Sequence, residues 1–521
     1  MTPARKIIDL QQLLLLRAKA RLDGKTVVHC HGCFDIVHPG HVHHLEYARS
    51  LGDMLVVTVS SDTHVAKGVN RPLIPDDLRA RNLAALQAVD VVYVNPNPTS
   101  VELLEQLAPD IYVKGREYEN SADPRFHRER DTVIRKGGRV VFSGGDVVYS
   151  STALINTLSQ TDAFEDEKLR RFRERYEITA QSLSNLVHRF RDLKIVVVGD
   201  YMLDRYHFCE ALGIAGEAPV MSLRSVNRAE YDGGAGVVAL HLASLGCSPT
   251  LVTSMAEDDF AHAGAMRMTA AGVNVQSVHN RKSTIVKERY LVEETKMFRV
   301  EEGGPAPLDS KMEERFADLL LDAARGADAV IFTDFGYGTI TKGMLDRVTD
   351  TLRKSGAILA ADVSGSQGDL LKFRGMDLIC PTEREARQCI GDHASGLGAV
   401  VGKLLDRMDS RQALITLGKQ GLVTFDWNSL EERQTGERLR SEYIPAFARR
   451  GIDPLGCGDA LLATATAALA AGGDLMSAAI LGSYAAALEV NQVGNIPITA
   501  DELLRLTSDT IQTRSVPRMA V

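Results

Sequence analysis

No stretch of this 521-residue chain is both long enough and apolar enough to span a bilayer. The longest uncharged apolar runs, 460–473 and 475–488, hold 14 residues each and are separated by Asp474, whereas a spanning helix needs about 20. Near the N-terminus only Leu13 to Leu16 lie between charged residues, too short for the core of a signal peptide, so a cytoplasmic location is the expectation. A disulfide framework is also missing, because seven scattered cysteines are an odd number and point to a reducing compartment. There is no basic excess. With 60 Lys and Arg against 68 Asp and Glu the net charge is −8, which argues against a broad nucleic-acid-binding surface. Neither an internal repeat nor a low-complexity segment is present. An apolar fraction of 45% and a charged fraction of 25% are ordinary for globular proteins and exclude wholesale disorder.

What the chain does have is an alternation of short β-branched runs with amphipathic stretches, the pattern of parallel sheets joined by helical crossovers. Runs at 25–29, 54–60, 90–94, 110–114 and 139–142 read as buried strands of a compact, doubly wound first domain. Residues 160–192 break the rhythm. They are dense in charge and free of Gly and Pro, and read as a helical connector with a solvated face. A second α/β pattern follows, with strands expected at 195–198, 250–253, 329–333, 357–361, 413–416 and 422–425. Residues 281–301 alternate in the antiparallel manner and suggest a small β flap on the larger sheet. The expected organisation is two domains, 1–158 and 193–521, joined by a helical linker at 159–192.

Two turns carry chemistry. The first, "GCFDIVHPGH" at 32–41, directly follows the first strand and opens the first helix. There a doubly wound sheet presents unpaired N–H groups to phosphates. His38 and His41 lie three apart across the turn and can face one phosphate, where two imidazoles would stabilise charge on a pentacoordinate phosphorus. The six histidines and two cysteines at 29–44 also allow a zinc site, and Cys30 with Cys33 a redox pair. However, His29 belongs to a strand and no second C-x-x-C exists.

This run resembles the H-x-G-H signature of the nucleotidyltransferase superfamily, and its Gly-Cys-Phe-Asp version resembles the adenylyltransferase domain of ADP-heptose synthesis. "RPLIPDDLRARNLAAL" (71–86), "PDIYVKGREY" (109–118) and "YSSTALI" (149–155) match in order. The resemblance implies that His38 and His41 contact a triphosphate, and that Gly32, Cys33, Phe34, Asp35, Lys114, Ser150, Ser151 and Thr152 bind the nucleotide. Lys67 and Arg71 are further candidates for substrate phosphate.

The second turn, "DPLGCGDA" at 453–460, precedes an apolar helix and is suited to receive a transferring phosphoryl group, with an Asp to take the proton of an attacking hydroxyl. The pattern alone is equally that of a turn with a helix cap. Its context resembles the ribokinase-like (PfkB) sugar kinases, especially the heptose 7-phosphate kinase branch. "VVGDYMLDRY" (197–206), "GGAGVVALHLASLG" (233–246), "TDFGYG" (333–338) and "ITLGKQG" (415–421) carry the match. By resemblance Asp459 is the catalytic base and Gly456 and Gly458 form the anion hole. Gly418 binds the nucleotide, Asp204, Gly233 and Gly234 bind sugar hydroxyls, and Glu385 is associated with Mg2+ through water. Lys287, Arg289 and Arg299 of the flap would meet a substrate phosphate. The family's usual residues are replaced at Val237, Pro454, Thr382 and Ser364, and losing a polar side chain from a sugar site weakens discrimination.

Together the resemblances imply a bifunctional transferase using ATP and Mg2+. It would phosphorylate heptose 7-phosphate at the anomeric hydroxyl and then transfer adenylate to the 1-phosphate, giving ADP-heptose and pyrophosphate. The domain order reverses that of the familiar fusions. Small sugar phosphates and ATP are the expected partners, without nucleic acid or membrane, and a homodimer through the lid strands is implied by resemblance. Two readings stay open: the same chemistries on another sugar or nucleotide, such as cytidylyl transfer, and a kinase-like domain that senses sugar phosphate for the transferase.

Overall fold

The computed structural model describes residues 6–35, 37, 39–62, 72, 74–115, 118–119, 123–143, 162–293, 295–364, 369–427, 439–448 and 451–512. Two compact units divide the chain, one built mainly on the first 168 residues and the other mainly on 169–521. No helix among the described residues is long and apolar enough to cross a membrane.

The first unit is a parallel sheet of β1 (Val27–Gly32), β2 (Met54–Ser60), β3 (Val91–Asn95), β4 (Ile111–Gly115) and β5 (Arg139–Ser143), in the order β3-β2-β1-β4-β5. Each strand falls where a β-branched run was expected. Val28, Cys30, Val57, Val59 and Val113 are buried in one apolar cluster with Leu45, Ala48, Leu83 and Ala84 of the crossover helices. The strand order reverses direction between β1 and β4, so the crevice beyond their carboxyl ends is the switch point where such sheets bind ligands.

The second unit is built on an unusually long strand, β6 (Lys194–Ile214). Its first half is the middle of the main sheet, pairing in parallel with β8 (Ser248–Ala256) and β12 (Ala329–Asp334). Its second half leaves that sheet, pairing antiparallel with β7 (Met221–Gly234) and parallel with β10 (Ile285–Val292). β10 in turn pairs antiparallel with β11 (Thr295–Glu302), the expected flap. The lid therefore has β7 and the far half of β6 in addition to the flap. β9 (Asn274–Arg281) extends the main sheet beside β8, while β13 (Ile358–Val363), β14 (Leu378–Ile379), β15 (Gln412–Thr416) and β16 (Leu422–Asp426) extend it beyond β12. These elements give the expected α/β class, a five-stranded parallel sheet in the first unit and a larger mixed sheet with a β lid in the second.

Two helices rich in alanine, Cys457–Ala470 and Leu475–Glu489, pack within the core of the second unit, their small side chains letting them approach closely. The charged segment before β6 forms helices Asp162–Arg175 and Ala180–Arg189. Its charged face conceals an apolar one, since Leu169, Phe172, Leu183, Leu186, Val187 and Phe190 are buried in the same core. Phe190→Ala should therefore destabilise the second unit by about 3–5 kcal/mol, read as a lower midpoint in denaturant unfolding. A wild-type midpoint would show that this segment only tethers.

Candidate functional sites

In the first unit the turn after β1 is fixed from beneath. Arg79 is fully buried. Its guanidinium donates to the Cys33 carbonyl, to Ser60 O at 2.8 Å, to Ile74 O at 2.7 Å and to Asp62 Oδ1 at 2.5 Å. Asp35 Oδ1 accepts from Ile74 N–H at 2.9 Å, which ties the turn to the same loop. Phe34 adopts φ +49°, a left-handed conformation unusual for a non-glycine residue. Its ring lies so near Gly32 that a Cβ there would approach it to 3.0 Å. The ring also meets His41 edge-on, with centroids 5.3 Å apart. Gly32, Cys33, Phe34, Asp35 and His41 are thus brought together at the switch point. His38, Lys67, Arg71, Ser150, Ser151 and Thr152 lie outside the described residues.

Lys114, at the end of β4, is buried and ion-paired with Glu129 at 3.1 Å. Burial alone would raise the Glu129 carboxyl, but Lys114, His31 and the Ser100 hydroxyl outweigh it and hold it well below the usual carboxylate range. Ser100 and Tyr112 donate to the same carboxylate at 2.6 and 2.9 Å. Two of the histidines that suggested zinc have other partners, since His29 and His31 both reach Thr58 Oγ1, at 2.9 and 2.8 Å. Burial pushes the Cys30 thiol up to about 12. No cluster of three His, Cys, Asp or Glu among the described residues could hold a metal ion.

In the second unit a cavity of about 440 Å³ opens between the lid and the turn 454–459. Asp204, Gly234, Lys287, Arg289, Arg299, Gly456, Gly458 and Asp459 line it, so most of the sequence-derived sugar-kinase residues converge there. Gly456 has φ +81° and precedes the helix Cys457–Ala470, whose N-terminal N–H groups face the cavity without a side-chain cap. Gly233 is required by space, since a Cβ would come within 2.6 Å of Asp204 Oδ2, and Gly234 by a backbone at φ +61°. Asp204 pairs with Arg289 of β10 and accepts from Asn495 Nδ2 at 2.8 Å.

Charge governs this cavity. Burial and the Asp204 carboxylate push Asp459 up to about 7, while Lys287 pulls it down. Burial and Asp459 push Glu489, just behind Gly456, up to about 8. Asp362 is raised well above the usual range by burial, Glu385 and Asp459. The lid supplies the opposite sign. Lys287 lies against the faces of Phe335 and Tyr337, 5.4 and 5.1 Å from their centroids, and burial lowers its pKa. Arg299 stands directly across from Arg289 in the β10–β11 pairing. Like charges facing one another across strands repel unless an anion joins them.

A second depression, lined by Thr382, Arg384, Arg387, Thr416 and Gly418 among others, lies at the ends of β15 and the helix Glu383–Ile390. Thr382 caps that helix and Glu385 completes a capping box, its Oε2 accepting from Thr382 N–H and Oγ1, each at 2.8 Å. Asp362, whose carboxyl Glu385 and Asp459 both push up, suits a divalent cation shared with nucleotide phosphates, the usual mode for Mg2+, rather than an all-protein cage. Sequence reasoning missed Asp362, although "ADVSG" held it, and Asn495, which no motif marks and which lies 291 residues from its partner Asp204. Asn495 lines the cavity and its Oδ1 has no partner among the described residues. Of the replaced positions, Pro454 and Ser364 line the cavity, Thr382 lines the second depression, and Val237 is buried in the helix Ala235–Ser244.

A lid of charged strands over an anion-receiving helix N-terminus, with a carboxylate poised near neutrality, defines a phosphotransferase acting on a small hydroxyl compound. Residues 192–501, more than half of the chain, match the pfkB family of carbohydrate kinases, and the chain belongs to that family. Residues 29–157 match the cytidylyltransferase-like family. The protein called bifunctional protein HldE in Pelobacter propionicus is 26% identical over 62% of this chain and 65% of its own length. Its namesake in Ectopseudomonas mendocina is 31% identical over 61% and 64%. The chain thus spans just under two thirds of the length of these curated relatives. Among solved structures, the tetrameric inhibited form of phosphofructokinase-2 from Escherichia coli shares the fold of 61% of this chain and 98% of its own, with TM-score 0.50 and 16% identity.

If Asp459 takes the hydroxyl proton, only its ionised form works, so phosphoryl transfer should fall as pH drops through about 7. Lys287→Met removes the cation that lowers Asp459 and should move this limb of the kcat/KM profile to higher pH. An unmoved limb would separate it from Asp459.

Proposed function

We propose that the chain is a bifunctional enzyme that makes a nucleotide-activated sugar from a sugar phosphate, with residues 193–521 as the kinase, 1–158 as the adenylyltransferase and 159–192 between them. Heptose 7-phosphate is the substrate favoured by the sequence motifs. The observation that carries the kinase reading is Asp459, poised at about 7 beside Asp204 and facing the lid cations. Asp204 and Asn495 hold sugar hydroxyls, while Lys287 and Arg299 receive the phosphate the substrate already carries. Asp459 takes the proton of the anomeric hydroxyl as the hydroxyl oxygen attacks the terminal phosphorus of ATP, and ADP leaves. The N–H groups of the turn at Gly456 and Gly458 take up the charge of the moving phosphoryl group. Gly418 lies where the nucleotide binds. Asp362 and Glu385 would hold Mg2+, which offsets phosphate charge when bound.

The kinase product is a 1,7-bisphosphate; once a separate phosphatase has hydrolysed the 7-phosphate, the remaining 1-phosphate is the nucleophile at the first unit. Its oxygen attacks the α-phosphorus of a second ATP and pyrophosphate leaves. His41 sits beside the Gly32–Asp35 turn, and we assign it, with His38, to stabilising the charge of that transition state. Gly32, Cys33, Phe34 and Asp35 cradle the nucleotide, with Lys114, Ser150, Ser151 and Thr152 as its phosphate contacts. Lys67 and Arg71 complete the substrate side. Adenylyl transfer needs no covalent intermediate, since positioning and charge stabilisation suffice. Both reactions belong to the cytoplasm, where ATP and sugar phosphates occur.

By mass spectrometry, heptose 7-phosphate with ATP should yield a 1,7-bisphosphate, and added heptose 1-phosphate with ATP should yield an ADP-sugar. Absence of both from active protein, or a different nucleotide in the product, would replace this reading. Asp459→Asn should abolish only the phosphorylation of heptose 7-phosphate, and His41→Ala only the ADP-sugar made from added heptose 1-phosphate. Binding of the sugar phosphate without turnover would instead make the second unit a sensor.

We further propose that two copies pair through the lid, where Leu212, Ile214, Val220, Met221 and Val226 expose apolar side chains, Ile214 to 78%. Val226→Glu should then convert a dimer to a monomer in light scattering. A monomeric wild type would refute this pairing.

A further inference from the structure

The turn 454–459 is anchored by Asp453, the residue that opens the "DPLGCGDA" run and to which the sequence assigned no role. Asp453 is buried, and each of its oxygens has two donors. Oδ1 accepts from Leu455 N–H at 3.0 Å and from Lys296 Nζ at 2.5 Å. Oδ2 accepts from the Tyr206 hydroxyl at 2.8 Å and from Gly494 N–H at 3.3 Å. The backbone donors belong to the turn itself and to the loop after the helix Leu475–Glu489. Both side-chain donors come from the lid, Tyr206 from the far half of β6 and Lys296 from the second position of β11. Lys296 sits at the tip of the β10–β11 hairpin, one pair in from its end, opposite Leu291. Its side chain is 33% exposed whereas that of Asp453 is 3% exposed, so a cation from the exposed edge of the lid neutralises a carboxylate in the interior.

That neutralisation matters because of where Asp453 stands. The turn receiving the phosphoryl group is already surrounded by Asp204, Asp362, Asp459 and Glu489. Another uncompensated carboxylate beside it would oppose the negative charge arriving in the transition state, and a buried carboxylate stripped of its partner is strongly destabilised. Burial raises the Asp453 carboxyl, but Lys296, Leu455 N–H and Tyr206 outweigh this and keep it below its ordinary range.

We propose that Lys296 is a positioning residue that latches the lid hairpin to the anion-receiving turn, so that the turn is fixed and charge-balanced only when the hairpin is seated. Lys296 touches neither reacting atom, and acts through Asp453. The inference rests on the kinase reading of the second unit, but not on which sugar phosphate is used.

Two measurements on the full chain test it. The first needs no substrate. In Lys296→Met, amide hydrogen exchange should quicken together in the hairpin 285–302 and in the turn 453–459, and Lys296→Arg should restore both. Exchange of the turn unchanged by loss of Lys296 overturns the latch whatever the sugar is. The second reads ADP release with ATP and heptose 7-phosphate. Lys296→Met should lower kcat by about tenfold or more while KM for either substrate changes less than about twofold, because the lost interaction matters in the transition state. Lys296→Arg should recover most of the rate. Adenylyl transfer from added heptose 1-phosphate, measured in the same preparation, should stay at the wild-type rate and so excludes general misfolding. A wild-type kcat in Lys296→Met, an effect confined to KM, or an Arg variant as slow as the Met variant each overturns the proposal. A wild type that releases no ADP indicts the choice of sugar, and the exchange experiment still decides the latch.

Discussion

Carboxylates crowded about a single helix N-terminus are the constraint on which the second unit depends. Asp204, Asp362, Asp453, Asp459 and Glu489 all approach the turn that opens the helix Cys457–Ala470. The helix contributes partial positive charge there, but this does not neutralise five carboxyl groups. The structure meets the imbalance in two ways. Burial and neighbouring carboxylates raise Asp459, Glu489 and Asp362, so these groups hold a proton or a cation more readily than a free carboxylate. The others receive cations from the lid, Arg289 for Asp204 and Lys296 for Asp453. A cavity that is acidic at its base and basic at its roof suits a substrate with hydroxyls at one end and a phosphate at the other.

The long strand β6 makes this division of charge mechanically coherent. Asp200, near the point where β6 leaves the main sheet, is buried and paired with Arg281 at 2.8 Å. Its oxygens accept N–H groups of Phe335, Tyr337 and Thr339 at 3.1–3.2 Å. Phe335 and Tyr337 are the rings against which Lys287 lies. The loop that supports the lid cation is therefore registered to the strand that carries Asp204, four residues further along. Rotating the lid strands against the core would disturb Asp204, Lys287 and the Asp453 anchor together, because all three depend on the same strand.

Much of this was legible in the sequence, and the remainder has physical reasons for having been hidden. Hydrophobic period and β-branched runs placed the core strands, and the turns at 32–41 and 453–460 stood out because glycine and helix-opening residues occur there at fixed offsets. The lid was only partly readable. β7 and the far half of β6 carry polar and charged side chains on both faces over much of their length, as in "RSVNRAEYD", so alternation is weak and nothing marks them as strands. The apolar face of the helices before β6 was masked by their charge density. Asn495, Lys296 and Glu489 could not be found from local pattern, since each acquires its meaning from a partner far away in the chain. Lys114 illustrates the opposite case. Its motif suggested a phosphate contact, whereas its environment adds Glu129, Ser100 and Tyr112, a buried network that fixes where the ammonium stands.

The two units solve one problem with different means. On the proposed reading each holds a dense negative charge against a backbone turn that cannot itself ionise, and each fixes that turn from behind with an ion pair. In the first, the cation is interior. Arg79 gathers three carbonyls and Asp62 beneath the Gly32–Asp35 turn, so the turn keeps its shape independently of any lid. In the second, the carboxylate is interior and the cation arrives from a lid strand, which leaves the turn conditional on closure. That difference fits the chemistry assigned to each. A phosphoryl group moving to a sugar hydroxyl must be shielded from water, which would otherwise accept it, and tying the anion-receiving turn to the lid delays a competent site until water is excluded. Adenylyl transfer to a phosphate oxygen uses a nucleophile already anionic at neutral pH, which competes with water without such gating.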